Sequence, residues 1–193
     1  MFTKNTRVVI LTGAGISAES GIRTFRAADG LWENHRIEDV ATPDAWKRNP
    51  ELVWSFYQQR RRQLLEVEPN SGHHALVDLE SYLDHFLLVT QNVDDLHERA
   101  GSSNLIHMHG ELAPLRCEAC GHVEVMMEDS HLGENFLTCI QCEGRMRPHI
   151  VWFGEIPMQM PEIEKALSEC DVFVAIGTSG HVYPAANFLH TAK

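Results

Sequence analysis

Three short apolar runs begin at Val8, Phe86 and Val172. Each run is continuous instead of alternating with polar residues, which is typical of parallel strands that are covered on both faces of a sheet. The intervening and following segments are rich in helix-forming residues, and they predict helices over 50–67, 73–83, 96–100, 162–170 and 185–193. The pattern therefore predicts an α/β fold, a parallel sheet with helices on both faces.

The first apolar run leads into a turn of small residues. Gly13, Gly15 and Ala18 match the G-x-G-x-x-G/A spacing, in which the backbone comes close to a pyrophosphate at the start of a helix. The alternative is an ordinary glycine-rich turn. In a dehydrogenase, this turn is followed by a second strand that ends in an acidic residue about 20 positions later. In this chain the polar loop 25–32 occupies that position, so the sequence disfavours a dehydrogenase that transfers hydride.

Polar or small residues also follow the other two predicted strands, at 91–95 and at 177–180. Open α/β sheets bind their ligands at the carboxyl ends of parallel strands. The small-residue loops at 13–15 and 177–180 therefore suit the two ends of a dinucleotide. An Asn/Asp cap for the helix over 96–100 is the alternative for 91–95, and one residue can serve both purposes.

Two histidines, His107 and His109, interrupt a short apolar segment before Gly110. A histidine is the default general base beside a cofactor because its pKa lies near neutrality. Gly110 would let the backbone turn sharply and leave His109 in a cleft. The alternative is a hydrogen-bonded structural histidine.

The strongest local signal is a pair of CxxC motifs, Cys117/Cys120 and Cys139/Cys142. Two such knuckles form a tetrahedral tetrathiolate zinc site, and four cysteine ligands indicate a closed, structural site. Four unrelated thiols are the alternative. The fifth cysteine, Cys170, precedes a predicted strand and fits a buried free thiol.

Composition limits the possible partners. The chain has 193 residues, of which 44% are hydrophobic, so it can bury one core and carry one small module. With 16 Lys and Arg against 27 Asp and Glu, its net charge is −11. This charge disfavours nucleic acid and anionic membranes as partners. The sequence shows no apolar run of membrane-spanning length and no signal peptide, so we expect a cytoplasmic protein.

The helix predicted over 50–67 carries Tyr57 and Arg60, which are three residues apart and project from one face. Together with Arg61 and Arg62, they fit a solvated basic edge of the helix. The alternative is that the Tyr57 phenol and the Arg60 guanidinium converge on a carboxylate.

Seven motifs occur in order along the chain: GAGIS-x-x-SGI at 13–22, FR at 25–26, QNVD at 91–94, HMHG at 107–110, the two CxxC pairs, FGE at 153–155 and GTSGHVYPA at 177–185. Taken together, these motifs resemble the sirtuins, which are NAD-dependent protein-lysine deacylases, and the bacterial members most closely. The resemblance runs from about residue 7 to residue 190. It implies a Rossmann-like domain at 1–110 and 148–193 with an inserted zinc module at 111–147.

In the implied reaction, NAD is consumed, nicotinamide leaves, and the acyl group of a modified lysine passes to ADP-ribose. His109 corresponds to the general base that accepts a ribose proton, and Phe25 would shield the ribose from water. Asn92 and Asp94 would hold the nicotinamide end, with Gln91 near the ribose. The full implied cofactor pocket is Gly13, Ala14, Gly15, Phe25, Arg26, Gln91, Asn92, Asp94, Gly177, Thr178 and Ser179. The implied substrate contacts are Tyr57, Arg60, Phe153, Gly154 and Val182, of which the last three clamp the peptide backbone.

The resemblance also bears on the acyl group. A Tyr-x-x-Arg pair at Tyr57 and Arg60, with Thr24 before Phe-Arg, is similar to the desuccinylase and demalonylase branch of the family. It implies succinyl-lysine and malonyl-lysine substrates besides acetyl-lysine. Relatives continue beyond residue 193 with further strands, so we expect the C-terminal part of the sheet to be missing. The alternatives are a truncated, weakly active or inactive NAD-binding relative, and ADP-ribosyl transfer as a side activity.

Overall fold

The computed structural model of the chain describes residues 3–23 and 31–192. Nine strands lie in this part: β1 (Arg7–Thr12), β2 (Leu31–Trp32), β3 (His35–Arg36), β4 (His85–Thr90), β5 (Leu105–His107), β6 (Gly110–Cys117), β7 (Val123–Val125), β8 (Met146–Ile150) and β9 (Val172–Ile176). The α-helices of the same part are α1 (Ile37–Val40), α2 (Pro43–Arg48), α3 (Pro50–Leu64), α4 (Ser71–Tyr82), α5 (Leu96–Ala100), α6 (Met160–Glu169) and α7 (Phe188–Thr191).

The central sheet is parallel, in the order β5-β4-β1-β9. The three predicted strands are β1, β4 and β9, so the predicted parallel α/β sheet is confirmed. Thr12 pairs in register with Thr90 on one side and with Ile176 on the other. The loops that follow these three strands therefore leave the sheet at the same edge, side by side.

The continuous apolar runs of β1 and β4 are explained by two separate cores, one on each face of the sheet. The prediction that the third run is also covered on both faces is wrong, because β9 is an edge strand of this sheet and none of its five residues is buried. Val9 and Leu11 of β1 belong to a cluster with α6 and α7. Val8 and Ile10 point to the other face and belong to a cluster with α4. Because successive side chains of a strand point to opposite faces, both sets must be apolar.

The predicted helices form with modest shifts at their ends. Helix α3 starts where predicted, with Pro50 in its first turn and the Asn49 side chain accepting a hydrogen bond from the Leu52 N–H. The helix predicted over 185–193 is shorter in the structure. A 3-10 turn, Ala185–Asn187, leads into the single-turn helix α7, which ends at Thr191.

A second, antiparallel sheet has the order β7-β6-β8 and carries the cysteines. Helices α2 and α3 pack against it in one aromatic-rich core that includes Trp46, Trp54, Leu115 and Met146. The sequence did not predict that these helices share a core with the cysteine-bearing sheet. The division into domains at 1–110, 148–193 and 111–147 stays a prediction, as does a missing C-terminal part of the central sheet.

No helix among residues 3–23 and 31–192 is both long enough and apolar enough to cross a membrane.

Candidate active site

A cavity lies at the carboxyl edge of the central sheet, where the loops after β1, β4 and β9 meet the segment that follows β8. It brings together fourteen of the predicted site residues: Gly13, Ala14, Gly15, Tyr57, Gln91, Asn92, Asp94, His109, Phe153, Gly154, Gly177, Thr178, Ser179 and Val182. Arg60 is not among its lining residues. Phe25 and Arg26, like Thr24, lie outside the described residues.

The loops after β1 and β9 touch through their backbones. The Gly15 N–H donates to the Gly177 carbonyl oxygen at 2.8 Å. A Cβ atom added to Gly15 would lie 2.7 Å from the Gly177 Cα atom, which no real packing allows. Gly177 also has a φ of 64°, in the left-handed region that favours glycine. The two loops thus form a narrow, glycine-lined floor on which a dinucleotide backbone fits closely.

The helix that we predicted after Gly15 is only a single 3-10 turn, Ala18–Ser20. It ends at Gly21, which has a φ of 96°. A helix dipole therefore does not act on this loop, and the site offers small residues that permit a close approach instead.

Asp94 is buried and is held by two hydrogen bonds. Its Oδ2 accepts a hydrogen bond from the Ser17 hydroxyl at 3.0 Å, and its Oδ1 accepts one from the Leu96 N–H. The Asn92 side-chain amide donates to the same Ser17 hydroxyl at 3.1 Å. Burial raises the pKa of Asp94, and the Ser17 and Leu96 hydrogen bonds oppose that rise. The bond to Leu96 also places Asp94 at the start of α5, so it serves the helix as well as the cavity wall.

The sequence did not predict a group of buried polar side chains beneath this part of the cavity wall, formed by Thr12, Thr90, His73 and His97. The Thr12 and Thr90 hydroxyls are 2.8 Å apart, and Thr12 also lies 3.0 Å from Nε2 of His97. The rings of His97 and His73 meet edge to face with centroids 4.9 Å apart. Burial lowers the pKa of His97 to about 4, so it is neutral near pH 7. The only sequence signal was the polar Thr at the end of each neighbouring apolar strand.

His109 stands on the short link between β5 and β6. Its Nδ1 lies 3.2 Å from the Gln91 carbonyl oxygen, to which the Nδ1–H donates. Nε2 then carries the lone pair that a base needs. Burial lowers the pKa of His109, which keeps the ring neutral near pH 7. The sharp turn after it requires glycine, because a Cβ on Gly110 would lie 2.1 Å from the His149 carbonyl oxygen.

His107 supports the 91–95 turn, which forms part of the cavity wall. Its Nδ1 lies 3.0 Å from the Asn92 carbonyl oxygen, and its Nε2 lies 2.6 Å from Oε1 of Glu98. Burial alone would lower the pKa of His107, but the hydrogen bond and charge of Glu98, together with the Asn92 carbonyl and the charge of Glu111, outweigh it and raise the pKa. The acceptors at both nitrogens favour the protonated ring of His107, which ties the 91–95 turn to α5.

Tyr57 reaches the cavity from α3. Its hydroxyl oxygen accepts a hydrogen bond from the Trp152 indole N–H at 2.9 Å. Arg60, one turn further along α3, places its guanidinium 4.5 Å from the centre of the Phe56 ring. Sequence analysis missed Trp152, which follows β8 and lines the cavity beside Phe153.

The four predicted cysteine ligands converge at the second sheet, with their sulfur atoms all within 4.8 Å of one another. Cys117 and Cys142 are 3.5 Å apart, and Cys120 and Cys139 are 3.7 Å apart. A tetrahedral zinc ion with Zn–S bonds of about 2.3 Å requires sulfur atoms about 3.8 Å apart, so the four thiols fit zinc.

The surroundings of the cysteines fit the same ion. In each knuckle a backbone N–H two residues on, from Ala119 or Gln141, points at the first sulfur. Within the cluster, the pKa of Cys117 is lowered, first by a backbone hydrogen bond from Cys120, and this favours the thiolate that binds metal. A backbone hydrogen bond from Gly144 lowers the pKa of Cys142, but the neighbouring sulfurs outweigh it, so that this pKa is raised. A Cβ on Gly144 would lie 2.9 Å from the Cys117 sulfur, so a larger residue would crowd the ion.

Comparison with known proteins matches the Sir2 family over residues 13–184. The chain belongs to the Sir2 family, which confirms the resemblance to the sirtuins. A relative from Salmonella typhimurium strain LT2, an NAD-dependent protein deacylase, is 60% identical over 198 residues, covering 98% of this chain and 70% of that protein.

Two solved structures share the fold. A Sir2 homologue in complex with NAD is 41% identical with a TM-score of 0.86, covering 96% of this chain and 73% of its own. Sir2 with a p53 peptide and NAD is 31% identical with a TM-score of 0.81, covering 96% of this chain and 76% of its own.

Proposed function

We propose that this protein is an NAD-dependent protein-lysine deacylase that transfers the acyl group to ADP-ribose and releases nicotinamide. The observation that carries the proposal is the position of His109, whose free Nε2 shares one cavity with the two glycine loops and with Gln91, Asn92 and Asp94. Family membership and the deacylase relative support the same activity.

Each part of the cavity has a separate task in this proposal. NAD supplies an electrophilic ribose carbon from which nicotinamide departs. The small residues of the loops at Gly13–Gly15 and Gly177–Ser179 let the cofactor approach the backbone closely. Asn92 and Asp94, fixed through Ser17, bind the nicotinamide end, and Gln91 lies near the ribose. His109 accepts a proton from a ribose hydroxyl at Nε2 while Nδ1–H stays on the Gln91 carbonyl.

The peptide backbone is proposed to bind along Phe153 and Gly154, with Val182 on the opposite side. Phe153 and Gly154 are exposed, and Gly154 has a φ of 95°, so this strip stands open at the cavity mouth. The Phe153 N–H already donates to the Ala41 carbonyl oxygen, so an extended peptide added as a strand would bond to other backbone groups of this strip, without any demand on its sequence. The solved Sir2 structure with a p53 peptide is consistent with a peptide substrate.

The acyl pocket is proposed to accept succinyl and malonyl groups as well as acetyl. Nε and Nη1 of Arg60 are buried, and they form no hydrogen bond with any residue in 3–23 or 31–192. A guanidinium with these two donors, three positions after Tyr57 on α3, suits a carboxylate at the far end of an acyl chain. An acetyl group does not reach these donors and would not depend on them.

The test compares a succinyl-lysine peptide with its acetyl twin, each incubated with the zinc-containing protein with and without NAD and then analysed by mass spectrometry. We expect both acyl groups to be lost only when NAD is present. His109→Ala should abolish both reactions. Arg60→Met should lower desuccinylation at least about tenfold and leave deacetylation within about twofold, since it removes only a charged hydrogen bond to the carboxylate.

Arg62→Met is the matched control, because it removes a guanidinium two residues away that already donates to the Leu132 carbonyl oxygen, whereas Nε and Nη1 of Arg60 have no partner among the described residues. An equal loss of both activities in Arg60→Met would contradict the carboxylate-binding role. A folded, zinc-containing protein that removes neither acyl group would contradict the deacylase activity and favour an inactive NAD-binding relative.

A further inference from the structure

A buried hydrogen bond joins the acyl pocket to the peptide-binding strip. The Trp152 indole N–H donates to the Tyr57 hydroxyl oxygen at 2.9 Å, and both side chains are 1% exposed. The two residues are 95 positions apart in sequence, one on α3 and one just after β8. Both also line the cavity.

This bond restricts what the Tyr57 hydroxyl can do. A phenol oxygen accepts through its lone pairs and donates through one O–H. The indole can only donate, so it takes the acceptor side of Tyr57 and leaves the O–H to be used elsewhere. No residue in the part of the chain that the structure describes accepts that proton. Burial raises the pKa of Tyr57, so the hydroxyl stays protonated and available as a donor.

Trp152 is itself held firmly by an ion pair. Nη1 and Nη2 of Arg147 bind the two carboxylate oxygens of Glu155 at 2.9 and 3.1 Å. The same carboxylate accepts a hydrogen bond from the Trp152 backbone N–H at 2.8 Å. The Arg147 guanidinium also lies 3.5 Å from the centre of the Trp152 ring, a cation–π distance. Backbone and ring of Trp152 are therefore both fixed.

We propose that Trp152 is a positioning residue for acyl specificity: by occupying the acceptor side of Tyr57, it aims the phenol O–H into the cavity, where a distal carboxylate of the acyl group accepts it. The Arg147–Glu155 pair keeps Trp152 in place for this purpose. This inference rests on the proposed function, because it concerns the succinyl and malonyl activity of that site. An acetyl group has no distal acceptor and gains nothing from the arrangement.

The test is Trp152→Phe, which removes the indole N–H while keeping an aromatic ring, with kcat/KM measured on succinyl-lysine and acetyl-lysine peptides. We expect the succinyl to acetyl ratio to fall roughly three- to tenfold, as for the loss of one oriented hydrogen bond. Trp46→Phe is the matched control. It removes an indole N–H in the same aromatic core, but one that donates to Glu118 at 2.7 Å. A similar fall in Trp46→Phe would overturn the proposal.

A double-mutant cycle with Tyr57→Phe separates positioning from general packing. If Trp152 acts through the Tyr57 hydroxyl, Trp152→Phe changes the succinyl to acetyl ratio by less than about twofold once Tyr57 is Phe. Additive effects of the two substitutions would overturn the proposal. A wild-type protein that does not remove succinyl contradicts the proposed acyl range. Wild-type desuccinylation that Trp152→Phe leaves unchanged contradicts the role of Trp152 alone.

If Trp152→Phe does not fold, the role of Trp152 can still be tested on the wild-type protein. Adding a succinyl-lysine peptide should move one indole N–H resonance downfield, because a carboxylate bound to the Tyr57 O–H strengthens the bond that Trp152 donates. The acetyl peptide should leave that resonance in place, and Tyr57→Phe should abolish the shift. The same shift with both peptides would overturn the proposal.

Discussion

His109 directs Nδ1 at the backbone oxygen of Gln91, 3.2 Å away. This single contact couples the proposed base to the loop that carries the proposed cofactor ligands Asn92 and Asp94. It also fixes the tautomer, because a carbonyl oxygen can only accept. The base and the cofactor ligands therefore move together, and a displacement of the 91–95 turn would disturb both.

The pH profile of kcat/KM should report on His109. Burial lowers its pKa below the ordinary value of about 6.5, and the proposed base must be neutral to accept a proton. Activity should therefore persist below pH 6.5 and decline only as the pH falls through the lowered pKa. The measurement is kcat/KM for the acetyl-lysine peptide between pH 5 and pH 9. An acidic limb at or above pH 6.5 would contradict this assignment.

Zinc should be required for stability through the cysteine cluster. Cys120→Ser should reduce the bound metal from about one zinc per chain to near zero, since a three-thiolate site holds it less firmly. The melting temperature should fall by about 10–20 °C, because Cys117 and Cys139 lie in the same core as α2 and α3.

The control for this prediction is Cys170→Ser, which alters a buried thiol outside the cluster. Zinc analysis by mass spectrometry and thermal unfolding provide the measurements. Full zinc content in Cys120→Ser would show that the four thiols do not act as one site.

Gly15→Ala should impair NAD binding more than the addition of a single methyl group suggests. The added Cβ meets backbone atoms of Gly177, which cannot move aside as a flexible side chain could. We expect at least about a tenfold loss of NAD affinity and about 1–3 kcal/mol lower stability, as for overpacking. Isothermal titration with NAD measures the first. Gly133→Ala is the control, since nothing lies within 4 Å of a Cβ there, and equal affinity losses in both variants would refute the packing argument.

His107 should make stability depend on pH in a definite direction. Its pKa is raised in the folded protein, so its contribution is complete below about pH 6.5 and is lost as the pH rises through the raised value. The pKa of Glu98 is lowered in the fold by the His107 bond despite burial, so its contribution is lost only in acid. Glu111, Asp94 and His97 are the other titratable groups that interact with His107.

His107→Gln should consequently destabilise the protein by about 1 kcal/mol near pH 6, after allowance for the solvent exposure of Glu98, and by less at pH 9. Thermal unfolding of both proteins across that range tests this. A stability difference that grows toward pH 9 would contradict the charged pair.

Much of the fold and site could be predicted because each signal is local. Strand positions follow from apolar runs, and the spacing of the two CxxC pairs indicates a metal site. The loops after β1, β4 and β9 meet because parallel strands end at one edge, so Gly15, Asn92 and Gly177 could be assigned to one cavity before any coordinates. His109 could be singled out because it precedes Gly110, a residue that allows a sharp turn of the backbone.

Other features depended on partners that no local pattern reveals. Trp152 looked like one more apolar residue, and its donation to Tyr57 exists only because α3 packs against the second sheet. Ser17 became central because it lies between Asn92 and Asp94, which are more than seventy positions away. The sequence by itself determined which residues occur at turns, strand ends and metal knuckles, since backbone geometry and ligand chemistry act over a few neighbouring positions. The tertiary structure alone decided the direction of each buried donor and acceptor, because a polar side chain removed from water must pair with whatever distant group the packing brings within 3 Å.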